Sequence, residues 1–556
     1  MKKATGLILL LIAGFLAIFL FFPVLYVLKE SFFAQGHFSL VYFRNILANP
    51  ANRDAMANSF YLSLASTLAA AVLAIPLAFL TTRYRFPGKT LLSGLLLAPL
   101  IMPPFVGAIG MRQLFARFGS VNLLLMEGGL IATPIDWLGS TGFWGVVIME
   151  ALHLYPIFFL NASAALANVD PALEEAALNL GSGRFATFRR VTLPLMMPGL
   201  FAGAILVALW AFTDLGTPLI FEYRHVMAVQ IFDRVTDLYD NPEGHALVVL
   251  MLLITTMIFL TAKRLFGMKG YETVGKGGSS GSEKTLGPFQ GLLAALAVTG
   301  VVLIACLPHL AVVMTAIGEK WFMTVLPESY TLKYFEQALG HSLTLSSIKN
   351  SILLSCLSTV VDIILGVSIA YLLARRKFRG AYLLDAAVML PLAIPGVVLA
   401  FGYLASFGGT VLDSRNNPLP LLVIAYSVRR LPYMVRIAYG GFLQISQSLE
   451  EAAINLGSST LRMIRKITLP LISANIIAGA ILAFSFAMLE VSESLILAVK
   501  EPYFPITKAI YQLLGRIEDG AFMACALGVW SMGLLGVSLI TATVFLGRKL
   551  GQMFRV

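Results

Sequence analysis

Charged side chains are scarce in this sequence. Of its 556 residues only 12% are Asp, Glu, Lys or Arg, while 58% are hydrophobic. A soluble globular domain has about 25% charged residues, so this composition excludes an ordinary soluble enzyme. Cysteine is also rare, and Cys306, Cys356 and Cys525 all lie in or beside apolar stretches. We expect them to be small buried side chains rather than disulfide partners or reactive thiolates.

Motifs for nucleotide or metal chemistry are missing as well. The triplet Gly88–Thr90 reads Gly-Lys-Thr, but a phosphate-binding loop would also need glycine at position 83, where this chain has Arg83. The six histidines show no i, i+4 pairing and no clustering with acids. The sequence therefore predicts no catalytic residues, no metal site and no cofactor bound by this chain.

Long apolar runs are what the sequence does contain. A helix needs about 20 apolar residues to cross a bilayer, and these runs lack the period-2 alternation of membrane strands. The first run follows Lys2 and Lys3 and is too long for a signal peptide, so we interpret it as an uncleaved span. The sequence predicts an all-α polytopic membrane protein of about 12 transmembrane helices. The spans lie near residues 6–28, 59–82, 91–114, 143–166, 196–220, 246–262, 291–316, 351–373, 383–407, 420–441, 473–498 and 523–546.

The placement of Lys and Arg predicts the orientation of these spans. If the N-terminus is cytoplasmic, the inner segments are about a fifth of the chain and hold more than half of its 40 basic side chains, as the positive-inside rule expects. Both termini are then cytoplasmic, and topology explains the net charge of +11. Nucleic-acid binding is the competing explanation of a basic chain, but no basic stripe interleaved with aromatic residues supports it.

The chain is internally duplicated. The segment from Asn58 aligns without gaps to the segment from Asn350, and a later segment around Pro156 aligns to one around Pro432. Each copy has six spans, so the two repeats have the same orientation, as in parallel-repeat transporters. We predict a first repeat at 1–269, a Gly/Ser-rich cytoplasmic linker at 270–288 and a second repeat at 289–556.

A charged, amphipathic cassette occurs once in each repeat, between the fourth and fifth spans. It reads EEAALNLGSGRFATFRRVTLPL from Glu174 and EEAAINLGSSTLRMIRKITLPL from Glu450. Asp170 and Pro171 are helix-start signals, and Gly181 can end the helix where positive φ is needed. We predict a two-helix elbow in each repeat, at residues 170–194 and 446–470, with the second short helix of the first elbow ending near Pro194.

Two explanations of the elbows follow from their residues. An apolar edge with a charged rim is typical of a helix that docks in a groove of another protein. The alternative is an amphipathic helix on the inner leaflet, although an anionic surface would repel the paired glutamates.

The spacing E-A-A, three residues, G, then nine residues before a hydrophobic-x-L-P segment resembles the EAA loop of binding-protein-dependent ABC importer permeases. The resemblance covers nearly the whole chain and implies a type I ABC importer permease fold. It implies that the elbows dock on ATPase subunits through ten residues: Glu174, Glu175, Ala176, Ala177, Gly181, Glu450, Glu451, Ala452, Ala453 and Gly457.

The same resemblance implies partners, location and cargo. The partners are two ABC ATPase subunits, which use ATP on the cytoplasmic side, and an extracytoplasmic solute-binding protein. The location is a bacterial-type inner membrane. The fused twelve-span form is most similar to iron(III) permeases, so the resemblance implies iron(III) as the cargo. Similar fused permeases serve thiamine or phosphonate, so these and other small polar solutes are the alternatives.

Several charged or polar residues are predicted within or near the spans, where charge is costly. They either line a translocation path or form interhelical ion pairs that hold the bundle together, and the sequence does not distinguish the two. Asp214 and Glu490 occupy matched positions in the repeats and form a candidate carboxylate pair near the outer mouth. The set is Glu150, His153, Asp214, Arg429, Arg430, Glu490 and Glu493. Prolines, among them Pro103 and Pro395, are expected to kink or break the third and ninth spans.

Two other function classes compete with the ATP-driven permease. A secondary transporter driven by an ion gradient also has parallel six-span halves, but it would leave the elbows unexplained. An integral-membrane enzyme would require a cluster of catalytic groups, which the sequence does not contain.

Overall fold

The structure is a computed structural model that describes residues 2–34, 36–235, 242–266, 283–376, 378–516 and 519–546. Helices dominate these residues. Those before the predicted linker are α1 Lys2–Leu16, α2 Phe22–Phe32, α3 Val41–Ala48, α4 Pro50–Arg83, α5 Lys89–Leu95, α6 Ala98–Ile101, α7 Pro104–Phe115, α8 Ser120–Glu127, α9 Phe143–Ala167, α10 Pro171–Asn179, α11 Arg184–Thr187, α12 Leu193–Thr213, α13 Gly216–Ile220, α14 Met227–Asp233 and α15 Glu243–Phe266.

The remaining helices follow the linker. They are α16 Pro288–Ile317, α17 Lys333–Gly340, α18 Ser342–Arg375, α19 Ala381–Ala393, α20 Gly396–Phe407, α21 Pro418–Gln444, α22 Gln447–Asn455, α23 Thr460–Met463, α24 Leu469–Leu471, α25 Ser473–Met488, α26 Ser492–Leu497, α27 Ile506–Leu514 and α28 Gly520–Leu546. Three π-helical segments, Ala17–Phe21, Phe188–Thr192 and Ile464–Thr468, and one 3₁₀ turn, Glu501–Tyr503, interrupt this series.

Strands are confined to two-residue pairs in the part of the chain that the structure describes. Two pairs are antiparallel, β1 Phe33–Ala34 with β2 His37–Phe38 and β5 Gly318–Glu319 with β6 Ser329–Tyr330. The third is parallel, β3 Tyr84–Arg85 with β4 Lys284–Thr285. Of the predicted linker, residues 270–282 lie outside the described residues, and β4 lies in its remaining part.

Among the described residues, eight helices are long and apolar enough to cross a membrane. The number is eleven if each of three bent helix pairs is counted as one span. The 27-residue helix α21 is not among the eleven. It coincides with the predicted tenth span, and its three arginines, Arg429, Arg430 and Arg436, lower its hydropathy. The prediction of an all-α multi-pass membrane protein is confirmed, and including α21 gives the predicted number of twelve.

Prolines break the third and ninth spans, as predicted. The segments Lys89–Ile101 and Pro104–Glu127 meet at 93°, and α19 meets α20 at 102°. Pro103 and Pro395 lie at these breaks in extended backbone conformation. Pro391, in contrast, stays within α19. The two breaks release backbone carbonyl groups at membrane depth, where they need other donors.

The chain divides into two compact units that are not contiguous in sequence. Among the described residues, unit 1 comprises residues 2–49, 231–252 and 335–546, and unit 2 comprises residues 50–230 and 253–334. Each unit has an equivalent helix triad at its centre, α4, α9 and α12 in unit 2 and α18, α21 and α25 in unit 1.

Unit 1 contains the first helices of the chain together with helices of the second repeat. The hydroxyl of Tyr403 on α20 donates a 2.6 Å hydrogen bond to the carbonyl oxygen of Phe19. The Phe22 and Phe407 rings lie 5.8 Å apart, edge to face. Gly402 lies against Pro23, so close that an added Cβ would contact the proline backbone at 3.3 Å. The packing of α2 on α20 therefore rests on a small residue beneath an aromatic cluster.

Unit 2 contains α16, the first helix after the linker, packed on α7 of the first repeat. The contact is closest at Gly110, where an added Cβ would lie 2.0 Å from the carbonyl oxygen of Pro308 and 2.9 Å from the amide nitrogen of Val312. Because both of these atoms are backbone, neither can rotate away. Glycine at position 110 therefore sets how closely the two helices approach.

The substitution Gly110→Ala should separate α7 from α16 and destabilise the protein. Overpacking of this kind costs about 1–3 kcal/mol, so the thermal unfolding midpoint of purified protein in detergent should fall. Gly300→Ala on α16 is the matched control, because nothing lies within 4 Å of its added Cβ. Equal midpoints for Gly110→Ala and Gly300→Ala would contradict this account of the packing.

Candidate functional site

The first elbow, residues 170–194, begins as its sequence predicts. The Asp170 side chain accepts a 2.9 Å hydrogen bond from the amide of Ala172 and caps α10, which has Pro171 in its first turn. Gly181 follows α10 with φ of +86°, a conformation that glycine adopts without steric cost. The chain then turns into α11, so the predicted two-helix elbow is confirmed.

The second elbow, residues 446–470, repeats this geometry with different side chains. Ser446 replaces the aspartate and caps α22 through the amide of Ser448. Gly457 has φ of +85°, and Ser459 caps α23 through the amide of Arg462. Two sequences that differ at their caps therefore fold into the same elbow.

The continuation of each elbow differs from the prediction. The second short helix of the first elbow does not end near Pro194, because the π-helical segment Phe188–Thr192 carries it directly into α12. The wider π turn bonds Leu193 to the carbonyl oxygen of Phe188. This shifted bonding leaves room for a proline, which lacks the amide hydrogen that a regular turn needs.

The second copy has the same π segment but then bends. The segments Thr460–Leu471 and Ser473–Met488 meet at 71°, whereas Arg184–Thr213 forms a single 30-residue stretch. The two elbows are therefore alike, and the helices that leave them are not.

Both elbows expose large apolar side chains at matched positions. Leu180 and Leu456, next to the turn glycines, are each 89% exposed. Such exposure of leucine is typical of a surface that a partner or a membrane covers. The matched pairs are Leu173 with Leu449, Leu178 with Ile454, Leu180 with Leu456 and Phe185 with Leu461. We call these eight residues the apolar crowns.

The paired glutamates of each elbow face in different directions. Glu175 and Glu451 are exposed beside the crowns, as are Ala176 and Ala452. Glu174 is partly buried and Glu450 is buried. Of the second alanines, Ala177 is partly buried and Ala453 is buried. The first glutamate of each pair therefore acts within the chain, and the second is available to a partner.

Glu174 joins the first elbow to the end of α4. Arg83, the last residue of α4, lies 3.2 Å from its carboxylate, and the hydroxyl of Thr192 donates a 2.7 Å hydrogen bond to it. Arg83 also donates to the carbonyl oxygen of Val169, just after α9. One carboxylate thus connects the elbow with the ends of several spans.

Glu450 makes the equivalent contacts in the second elbow. Arg375, the last residue of α18, donates a 3.1 Å hydrogen bond to its carboxylate, and Thr468 donates another of 3.1 Å. Arg375 also donates to the carbonyl oxygen of Ile445, just after α21. The ring of Phe442 lies under its guanidinium group. We call the two groups, Arg83–Glu174–Thr192 and Arg375–Glu450–Thr468, the carboxylate junctions.

The predicted intramembrane residues of unit 1 form an ion-pair cluster. Arg430 on α21 contacts Glu490 and also donates a 3.2 Å hydrogen bond to Glu493. Arg429 lies 4.0 Å from both carboxylates. Arg430 also donates to the carbonyl oxygen of Phe486, near the end of α25. Of the two alternatives that the sequence left open, these four residues therefore form the interhelical ion pairs, with acids and arginines paired across helices.

The matching part of unit 2 lacks those arginines. Asp214 caps α13 by accepting a 2.8 Å hydrogen bond from the amide of Thr217, as Glu490 accepts from the amide of Glu493. Glu150 is buried near Asp214 and Thr217, and one of its carboxylate oxygens has no hydrogen-bond partner among the described residues. The two repeats therefore keep the capping acid but not the cation.

His153 belongs to a group of donors at the break in the third span. Its Nδ1 lies 2.9 Å from the carbonyl oxygen of Pro99. The Tyr155 hydroxyl donates to the carbonyl oxygen of Leu96 at 2.8 Å, and Nε2 of His309 lies 3.2 Å from that of Pro103. In the described residues no group of three or more His, Cys, Asp and Glu side chains is arranged to hold a metal ion.

The sequence predicts most of the residues of the site, but it does not predict which residues they contact. The basic members of the carboxylate junctions, Arg83 and Arg375, are not among the predicted site residues. Their equivalent positions at the ends of the second and eighth spans were the available signal. Asp362 on α18 was also missed; it is buried, and neither of its carboxylate oxygens has a hydrogen-bond partner among the described residues.

The substitution Arg430→Met should strongly destabilise the protein, because it leaves Glu490 and Glu493 buried with only Arg429 nearby. Breaking a buried ion pair costs about 3–5 kcal/mol, which thermal unfolding in detergent would detect. Arg436→Met is the control, since its pair with Asp385 is half-exposed and such pairs contribute about 0–1 kcal/mol. Similar losses of stability in the two variants would refute the structural role of the cluster.

Comparisons with known proteins agree with this architecture. The family model of binding-protein-dependent transport system inner membrane components matches residues 70–268 and 362–549. The ferric transport system permease protein FbpB of Actinobacillus pleuropneumoniae is 25% identical over 515 residues, which cover 91% of this chain and 72% of that protein. The Fe(3+)-transport system permease protein FbpB 2 of Haemophilus influenzae is 24% identical over 458 residues, covering 81% and 82%.

A shorter relative matches a single part of the chain. The molybdate/tungstate transport system permease protein WtpB of Pyrococcus furiosus is 32% identical over 200 residues, which cover 36% of this chain and 77% of that protein. These relatives are transport permeases, not enzymes. The chain is accordingly a multi-pass inner-membrane permease that works with a substrate-binding protein and an ATPase. It belongs to the family of binding-protein-dependent transport system inner membrane components, with the family's domain present twice in one fused chain.

Proposed function

We propose that this permease imports iron(III) with energy from two ATPase subunits, one docked on each elbow. The observation that carries the docking is the pair of apolar crowns, with leucines 89% exposed at the same position of both elbows. A groove on a partner would bury these side chains, and the exposed Glu175 and Glu451 would lie at its charged rim. Two elbows of the same shape fit two copies of one ATPase.

The orientation completes this proposal. Both elbows and both termini lie in the cytoplasm, as the distribution of Lys and Arg predicts. ATP is bound and hydrolysed by the partner subunits and not by this chain. A solute-binding protein delivers the cargo on the opposite side. Closure of the ATPase subunits then moves the permease between outward-open and inward-open states.

Iron(III) is the cargo that the relatives favour. The two named for ferric or Fe(3+) transport match most of this chain, and so extend over both repeats. A second candidate is a tetrahedral oxyanion. The molybdate/tungstate permease has a higher sequence identity, 32%, than the two iron permeases, although it matches only 36% of the chain.

Docking is tested by placing charge in the apolar crowns. The double variant Leu180→Asp, Leu456→Asp should no longer co-purify with the ATPase subunits, because a carboxylate in an apolar groove is desolvated without a partner. The control is Leu130→Asp, Val411→Asp, which alters exposed residues of predicted outer loops. Retention of the ATPase by the first variant, or its loss from the control, would reject the elbows as the docking sites.

The cargo is tested in proteoliposomes that contain the permease and its ATPase, with the binding protein added outside. Radioactive iron(III) loaded on the binding protein should accumulate inside only when ATP is present in the lumen. Radioactive molybdate is supplied in a parallel assay. Accumulation of molybdate but not iron would favour the second candidate, and iron uptake that needs an ion gradient instead of ATP would reject the ATP-driven function.

A further inference from the structure

The carboxylate junctions are the part of the elbows that faces the membrane-spanning helices. In each junction one glutamate from the first turn of the docking helix forms an ion pair with an arginine and accepts a hydrogen bond from a threonine. The arginine is the last residue of a long span, α4 or α18. The threonine is the last residue of a π segment that leads into the next span. A single carboxylate therefore holds three elements at fixed distances.

The arginine extends this connection to a fourth element. Arg83 donates to the carbonyl oxygen of Val169 and Arg375 to that of Ile445, both just beyond the end of a span. These donors pair carbonyl groups that are left open where α9 and α21 end. Each junction thus links the docking helix with the ends of three spans of its own unit.

Burial makes these connections stiff. The side chains of Arg375 and Glu450 are 6% and 9% exposed, and those of Arg83 and Glu174 are 15% and 19% exposed. Thr192 and Thr468 are almost completely buried. Side chains held in this way cannot exchange their partners for water during a small movement of α10 or α22, so the movement passes to the groups they bond.

The junctions occur in both units, whereas the ion pairs of Arg430 with Glu490 and Glu493 have no counterpart at the matched positions of unit 2. Arg430 and Glu493 of unit 1 correspond to Leu154 and Thr217 of unit 2. A contact that only stabilises its own unit can be present in one unit and replaced by other residues in the other unit. The junctions have the same three residue types and similar distances in both units, although the caps of the two elbows differ.

We propose that the junctions Arg83–Glu174–Thr192 and Arg375–Glu450–Thr468 transmit the movement of the docked elbows to the spans, and that Glu174 and Glu450 are positioning residues rather than contacts of the ATPase. This inference rests on the proposed function. Without a junction, the ATPase still docks on the crowns, but its closure moves the elbow more than it moves the spans.

The test compares ATP hydrolysed with iron(III) imported in proteoliposomes that contain the co-purified permease and ATPase. For Glu174→Gln, Glu450→Gln the ATPase should remain bound, while the ratio of ATP hydrolysed to iron imported rises about tenfold, within the usual range of coupling between sites. The charge-swapped variant, with Arg83→Glu, Glu174→Arg, Arg375→Glu and Glu450→Arg, should lower this ratio only in part, because it restores each ion pair but removes the donors to the carbonyl oxygens of Val169 and Ile445. The control Glu319→Gln, Asp385→Asn breaks two ion pairs outside the elbows and should leave it unchanged.

Each other result decides against the inference in a recognisable way. An unchanged ratio in the glutamine variant would overturn it. Loss of the ATPase from that variant, with a normal unfolding midpoint, would show that the glutamates contact the ATPase directly; the inference would then fail and the proposed function would stand. A wild-type permease that binds no ATPase would instead overturn the proposed function.

Milder variants keep the test decisive if the glutamine variant does not fold. Thr192→Val, Thr468→Val removes one hydrogen bond from each junction and keeps the ion pair and the side-chain volume. Its ratio should rise by a smaller factor than that of the glutamine variant, with the ATPase retained. A ratio equal to that of the wild type in this folded variant would reject transmission through the junctions.

Discussion

Backbone carbonyl groups that are released inside a membrane must find donors within the protein, and this requirement organises much of the structure. Where the third span breaks, Tyr155, His153 and His309 supply hydrogen-bonding groups for three carbonyl oxygens. Where α25 gives way to α26, Arg430 and Thr507 donate to the carbonyl oxygens of Phe486 and Glu490. Bent spans can therefore persist in lipid because buried polar side chains replace the missing helical bonds. Polar residues at membrane depth are accordingly structural supports even where they also lie near a path.

The two repeats differ in the charged residues inside the membrane and agree in the structure of their elbows. Inside the membrane, one unit balances acids with arginines, while the other holds Glu150 close to Asp214 without an arginine at the matched positions. At the elbows, the caps differ, but the turn glycines and the carboxylate junctions have the same residue types, and the crowns are apolar in both copies. The two halves of the chain have therefore diverged more inside the membrane than at the elbows.

The sequence predicts the elements that depend on local signals. Asp170, Pro171 and Gly181 act through residues near them in the chain, so the first elbow was foreseen with its cap and its turn. The breaks at Pro103 and Pro395 were foreseen for the same reason. The continuation past Pro194 was not, because a π segment depends on how a whole helix packs and has no simple sequence signal.

Contacts between distant segments could not be predicted from the sequence. The bond between Arg375 and Glu450 joins residues 75 positions apart, and composition alone does not say which acid an arginine will meet. The sequence likewise left Glu490 and Glu493 open between a path and an ion pair. Their ion pairs with Arg430 depend on a neighbouring helix, and their place on a path remains a prediction. The roles of the elbow residues and the repeat boundaries at 269 and 289 remain predictions.

The discontinuous units impose an order on biogenesis. Among the described residues, unit 2 is complete once residue 334 has been made, whereas unit 1 also needs the segment from Phe335 onward. The first described helices therefore wait for partners that the ribosome synthesises much later, such as Tyr403, which bonds Phe19 across 384 residues. Contacts of such long range form late. The oldest part of the nascent chain is thus among the last to reach its final place.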